Sequence, residues 1–231
     1  FFDDIMQIVG TMPKERQTLL FSATLPPKIR QLAKQILRDP AEISIAISKP
    51  NEAIDQSIYV CYENQKMEII RHLFEGKELS QKTIIFSSSK QKVKELAYAL
   101  KRMKYRAAAM HSDLEQSQRE EVMLDFKNGK IDLLVATDVA SRGIDVDDVD
   151  CVINYDVPDE NEYYVHRVGR TGRAKRKGIA WSIISNFPEK AKLDEICKFC
   201  NFTVAPMCLT AEGELRQEEI KAPAPPKRRF R

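Results

Sequence analysis

No stretch of the 231 residues approaches the roughly 18 consecutive apolar positions that a membrane-spanning helix needs, and no basic-then-apolar pattern marks the N-terminus as a signal peptide. A soluble, cytoplasmic chain is expected. Cysteine is scarce and odd in number, five residues without a repeated spacing, which argues against a secreted disulfide framework. Cys197 and Cys200 make one C-x-x-C, but zinc takes four ligands and only Cys208 follows downstream. No metal site is expected, and the pair reads as half-buried thiols on a helix with Leu193 and Ile196. A G-x-x-x-x-G-K-[S/T] phosphate loop is also missing: Gly76-Lys77 and Gly129-Lys130 lack the earlier glycine and the hydroxyl residue. Nor is there a strong field of one sign. The formal charge is +3, and Lys227, Arg228, Arg229 and Arg231 contribute four positive charges, leaving −1 for residues 1–226. Any grip on nucleic acid must come from local patches.

What is present, 43% hydrophobic and 31% charged residues, suffices for one full core and part of a second. The chain opens at Phe1 and is read as a piece that begins inside a domain. Thr18 to Phe21 reads as a strand, Ile29, Leu32, Ala33, Ile36 and Leu37 as one face of a helix opened by Pro26-Pro27, and Ile43, Ile45 and Ile47 as a second strand. Residues 49–56 read as a linker. Beyond it strands and helices alternate: Ile58 to Tyr62, a helix through Met67 and Phe74, Thr83 to Phe86, a helix through Val93 and Met103, Ala107 to Met110, a helix from Gln118 to Asn128, Leu133 to Ala136, Cys151 to Ile153, Ile179 to Ile184, and a helix from Glu189 to Phe199. That order predicts an α/β fold, a doubly wound parallel sheet. The polar clusters Ser87-Ser88-Ser89, His111-Ser112-Asp113, Thr137-Asp138 and Asp156 each follow a strand. In an open parallel sheet they belong to one edge, where ligands bind. Residues 211–231, ending in a Pro-rich basic run, cannot bury a core and are expected to be disordered.

The most informative stretch is His166-Arg167-Val168-Gly169-Arg170-Thr171-Gly172-Arg173. Three arginines recur at spacing three with glycines between them. Guanidinium forks suit phosphate oxygens, and glycines permit close backbone approach. A helix face of arginines paired with carboxylates is the plainer alternative, disfavoured because glycine inside a helix costs stability.

This stretch resembles motif VI of the DEAD-box RNA helicases. Ala136 to Asp145 resembles their motif V, Ser22-Ala23-Thr24 motif III, Ile84 to Ser89 motif IV, His111-Ser112-Asp113 with Gln116 and Arg119 motif IVa, and Val152 to Asp156 motif Va. The resemblance implies a complete second RecA-like lobe (the helicase C-terminal domain) at residues 57–210, preceded by the last part of a first lobe at residues 1–48. It implies ATP with Mg²⁺ as cofactors and RNA as partner, held through its backbone independently of sequence. It assigns Arg170 and Arg173 to the γ-phosphate, Gly143 and Asp145 to the nucleotide ribose, and Arg119, Gln116, Thr137 and the serines Ser87 and Ser88 to RNA, without deciding which of the two hydroxyls makes the contact. His166 and Arg167 would couple across the cleft to the first lobe, and Ser22 and Thr24 would transmit the nucleotide state. No Asp-Glu-Ala-Asp occurs in the chain, so the resemblance implies that the phosphates and Mg²⁺ are held mainly by first-lobe residues outside it, and that this piece alone is inactive. A non-catalytic RNA-binding or chaperone module, or a DNA-acting lobe of the same superfamily, are the alternative readings. Oligomeric state has no signature here.

Overall fold

The computed structural model describes residues 2–22, 25, 27–43, 53–75, 82–140, 146, 149–173, 176–209 and 215–217. The chain divides into two compact units, Phe1–Ser48 and Lys49–Arg231. In the first, the described residues between α1 (Phe2–Thr11) and α2 (Pro27–Ile36) form neither helix nor strand. Helix α1 was not anticipated, and it buries no residue. The strand expected at Thr18 to Phe21 is not formed, and Phe21 is 89% exposed there. A strand exists only by pairing with a neighbour, and no strand is found among the described residues of this unit. Of the second expected strand, Ile45 and Ile47 lie outside the described residues.

The second unit is built on one sheet ordered β3-β4-β2-β5-β6-β1-β7-β8. Its strands are β1 (Ile54–Val60), β2 (Thr83–Phe86), β3 (Ala107–Met110), β4 (Leu133–Ala136), β5 (Cys151–Asn154), β6 (Gly178–Ile184), β7 (Pro206–Leu209) and β8 (Leu215–Gln217). Seven run parallel and only β8 is antiparallel, on β7. Three boundaries differ from those that the pattern predicts. Ile54 to Gln56 belong to β1 rather than to a linker. Tyr62 lies beyond that strand, before a 3-10 turn at Glu63–Gln65. Residues 215–217 pair as β8 instead of lying in a disordered tail.

Alternation along the short strands loads both faces of the sheet, which is why they read as unbroken apolar runs. Ile85, Val135, Ile153 and Ile183 pack on one side against α3 (Lys66–Phe74) and α4 (Lys90–Arg102). Ile84, Phe86, Leu134 and Val152 face the other side with Phe126 of α5 (Gln116–Lys127). There α6 (Asn161–Val168) and α7 (Phe187–Cys200) cover Ile58, Ala180 and Ile184. Each fully buried aliphatic side chain stabilises by roughly 1.5–3 kcal/mol. The sheet is thus a rigid platform for its two ends. The thiols of α7 pack as expected: Cys200 lies in the core with Leu193 and Ile196, and burial pushes its pKa up to about 11.

Local signals place the helices that open from the sheet's carboxyl edge. The Ser89 side chain accepts from the Lys92 amide at 3.2 Å and caps α4. Asn186 caps α7 in the same way from Glu189 at 2.9 Å.

Candidate functional site

Because the seven strands are parallel, the segments that leave their carboxyl ends share one edge. There Asp156, just past β5, ties the edge together. Its Oδ2 accepts from the Ser87 hydroxyl at 2.7 Å and the Ser88 amide at 2.8 Å, and its Oδ1 from Lys92 at 3.0 Å and Lys66 at 3.3 Å. Burial alone would raise the Asp156 pKa, but these donors outweigh it and hold the carboxyl below the ordinary carboxylate range. Lys66 is 0% exposed. Its ammonium also donates to the Tyr155 carbonyl at 3.0 Å and to Glu189 at 3.4 Å, and pairs with Glu63 at 3.2 Å. Burial works against its charge, and the carboxylates of Asp156, Glu189 and Glu63 reverse that and raise its pKa.

This geometry distinguishes the two serines. Ser87 is fully buried and its hydroxyl is committed to Asp156. Ser88 gives its amide to the same carboxylate while its side chain stays exposed, so it is the serine of this pair that faces solvent. Asp156 stands on the edge where the sequence placed it, whereas Lys66 was not anticipated as a site residue. A signal for the lysine was available, since Lys66, Ile69, Ile70 and Leu73 fall at the spacing of one buried helix face.

The remaining edge residues converge beside β4. Gln116, exposed at the start of α5, donates to Glu120 at 2.8 Å. Arg119, one turn on, donates to the Ala140 carbonyl at 3.2 Å, and the Ala140 amide donates to the Thr137 hydroxyl at 3.4 Å. Arg119 and Thr137 therefore meet on one short turn. His111, nearly buried, accepts from the Asp113 amide through Nδ1 at 3.3 Å, while Asp113 pairs with Lys90 at 2.9 Å and Lys94 at 2.8 Å.

The three arginines of the glycine-rich stretch divide. Arg167 is 2% exposed. It forks onto Asp138 at 2.6 and 2.7 Å, donates to Asn154 Oδ1 at 3.2 Å and the Asp156 carbonyl at 2.7 Å, and lies 5.1 Å from the Phe86 ring centroid. These bonds bind the carboxyl ends of β4 and β5 to α6, so that one arginine of the three is paired with a carboxylate. Arg170 and Arg173 follow on the turn after α6, both half-buried, with Arg173 Nε donating to the Gly169 carbonyl at 2.9 Å. Burial and the neighbouring Arg173 charge both lower the Arg170 pKa. Thr171 anchors this turn to Val149 and Asp150, at the amino end of β5. His166 sits half-buried on α6 with its ring edge-on to Tyr163 at 6.5 Å.

Ser22 lies in the first unit, apart from these residues in sequence. Thr24, Gly143 and Asp145 lie outside the described residues. No cluster of three or more His, Cys, Asp or Glu able to hold a metal ion occurs among the described residues, whereas the guanidinium pair suits a polyphosphate anion.

Residues 65–175 match the family model of the helicase conserved C-terminal domain. The chain is 38% identical over 224 residues to the ATP-dependent RNA helicase DeaD of Buchnera aphidicola, covering 96% of this chain and 36% of that protein. It also aligns at 32% identity and TM-score 0.62 with the C-terminal domain of the DEAD-box protein Dbp5, covering 67% of this chain and 91% of that one. The chain belongs to the DEAD-box RNA helicase family. A further DEAD-box structure, S. cerevisiae Dbp5 bound to RNA and ADP BeF3, superposes at TM-score 0.78 with 30% identity, covering 88% of this chain and 55% of that one. The second unit is accordingly the RecA-like C-terminal domain of a DEAD-box protein. The chain spans 35–41% of the length of the curated DEAD-box relatives it matches.

Proposed function

We propose that this domain works as the second lobe of an ATP-dependent RNA helicase, supplying Arg170 and Arg173 to the γ-phosphate of ATP and gripping the RNA backbone with its carboxyl edge. One observation carries the reading. Within a single arginine repeat, Arg167 is committed to Asp138, while Arg170 and Arg173 stand half-buried on a turn that Thr171 anchors, where burial and the Arg173 charge lower the Arg170 pKa. A guanidinium pair stabilises the charge of a phosphoryl group in transfer. ATP, when bound, provides that phosphoryl anion, and Arg170 and Arg173 are the described residues of this chain that would hold it. The ribose contacts at Gly143 and Asp145 belong to the same proposal, as does Mg²⁺ held by first-lobe residues.

Arg119, Thr137, Gln116 and Ser88 would hold phosphate and sugar groups, which gives RNA binding without base readout. Ser22 and Thr24 would relay the nucleotide state, and His166 would contact the first lobe. Turnover would then drive local separation of short RNA duplexes. The 231-residue chain alone should show no ATPase activity.

The test is RNA-stimulated ATPase of the full-length parent protein. Arg170→Ala and Arg173→Ala should each lower kcat by about 10³-fold or more, the scale of an arginine finger. Loss of RNA affinity equal to the loss of kcat would reassign both residues to RNA.

A further inference from the structure

The arginine turn rests on a seat made largely of backbone. Thr171 forms a parallel bridge with Val149. Its hydroxyl, on a residue 2% exposed, is shared between the carbonyls of Val149 at 2.7 Å and Asp150 at 3.0 Å. Gly172 turns the chain with a φ of +67°, in the left-handed region that favours glycine. Against this turn lies Gly178, the first residue of β6. Its amide donates to the Ala53 carbonyl at 3.0 Å, and the next amide, of Ile179, donates to Asp150 at 2.9 Å. The seat thus joins the amino ends of β1, β5 and β6.

Gly178 has no positive φ, so conformation does not explain a glycine there. Space does. A Cβ at this position would fall on the Thr171 hydroxyl, 2.8 Å from Thr171 Cγ2 and 2.5 Å from the Gly172 amide nitrogen. The hydroxyl is fixed by two carbonyls and the amide is main chain, so neither can swing aside as a flexible side chain would. A side chain at 178 therefore forces apart the start of β6 and the segment that lies between Arg170 and Arg173.

We propose that Gly178 and the Thr171 hydroxyl are positioning residues for the arginine pair, setting where the guanidinium groups stand when a phosphate arrives. The proposal rests on the reading of Arg170 and Arg173 as phosphate ligands. Neither residue touches the nucleotide; both act through the turn. A displacement of about 1 Å at a reacting centre can cost on the order of 10²-fold in rate, which sets the expected effect.

The experiment is an RNA titration of ATPase in the full-length parent protein, with thermal unfolding recorded for each variant. Gly178→Ala and Thr171→Val should lower kcat by about 10- to 100-fold while the RNA concentration at half-saturation stays near wild type. Thr171→Ser, which keeps the hydroxyl, should restore most of kcat. Added to the Arg170→Ala, Arg173→Ala double variant, Gly178→Ala should cause little further loss, because there is nothing left to position. Full kcat in Gly178→Ala would overturn the proposal, and with Arg170→Ala and Arg173→Ala still inactive it would leave the phosphate-ligand reading standing. If those arginine variants keep full kcat, both readings fall. Parallel loss of kcat, RNA affinity and Tm would assign Gly178 a purely structural role and also overturn the proposal. Should Gly178→Ala fail to fold, the Thr171 pair decides: equal kcat in the Val and Ser variants contradicts it.

Discussion

The two ends of the sheet solve different problems. At the carboxyl edge, charges are paired at close range: Asp156, Glu189 and Glu63 surround the fully buried ammonium of Lys66, and Lys92 pairs with Asp156 as well. At the amino end of β5 and β6, the arginine turn is seated by main-chain contacts and by the missing side chain of Gly178, and burial and the Arg173 charge lower the Arg170 pKa. On the proposed reading the carboxyl edge keeps its shape through internally paired charges, because unpaired buried ions are costly, and the arginine turn offers positive charge to a phosphate group. Helix α6 and the turn after it join the two, with Arg167 on the helix facing one end and Thr171 on the turn facing the other.

The contrast is sharpened first by Arg167→Ala, which breaks the link itself. It leaves Asp138 and the end of β5 without their shared donor and should destabilise the chain by about 3–5 kcal/mol, measured by denaturant unfolding. Arg167→Lys should recover only part, since an ammonium cannot fork onto a carboxylate. Full stability in Arg167→Ala would show that α6 is held by Tyr164 and Val168 alone.

Asp156→Asn tests the carboxyl edge, with an expected loss of about 1–3 kcal/mol near pH 7. The sign with pH follows from its depressed pKa. The stability it contributes is present above the unfolded carboxylate range, near 4, and is lost as pH falls through the lower folded value. Wild type should therefore weaken on acidification more steeply than Asp156→Asn, and equal acid slopes would remove Asp156 from the network. The smallest contrast is between neighbours. Ser87→Ala should cost about 1 kcal/mol of stability and leave RNA affinity of the full-length protein intact except through the shared Asp156. Ser88→Ala should do the reverse, and an RNA defect confined to Ser87→Ala would contradict the assignment.

Much of this architecture could be read from the chain before its structure. Strands β2 to β6 are short apolar runs followed by polar clusters, and their common edge follows from a parallel sheet. Helix α6 was missed for a physical reason: its buried face consists of Tyr164, Arg167 and Val168, so a charged residue stands where an apolar one would announce an amphipathic helix. Strand β7 opens with Pro206 and is only Pro206–Leu209, with β8 shorter still, too brief for alternation to register. The arginine repeat was visible as a unit, but its division was not. Three arginines at equal spacing look alike until Asp138, 29 residues upstream of Arg167, claims one of them. The three consecutive serines are similar. Only Asp156, 69 residues after Ser87, separates a buried hydroxyl from an exposed one.

The most direct test of the division between the two ends is one RNA titration of ATPase in the full-length protein, run side by side on Arg170→Ala and Arg119→Ala. The account predicts that Arg170→Ala loses kcat with little change in the RNA concentration at half-saturation. Arg119→Ala should instead raise that concentration and retain most of kcat at saturating RNA. Matching losses in both quantities for both variants would contradict it.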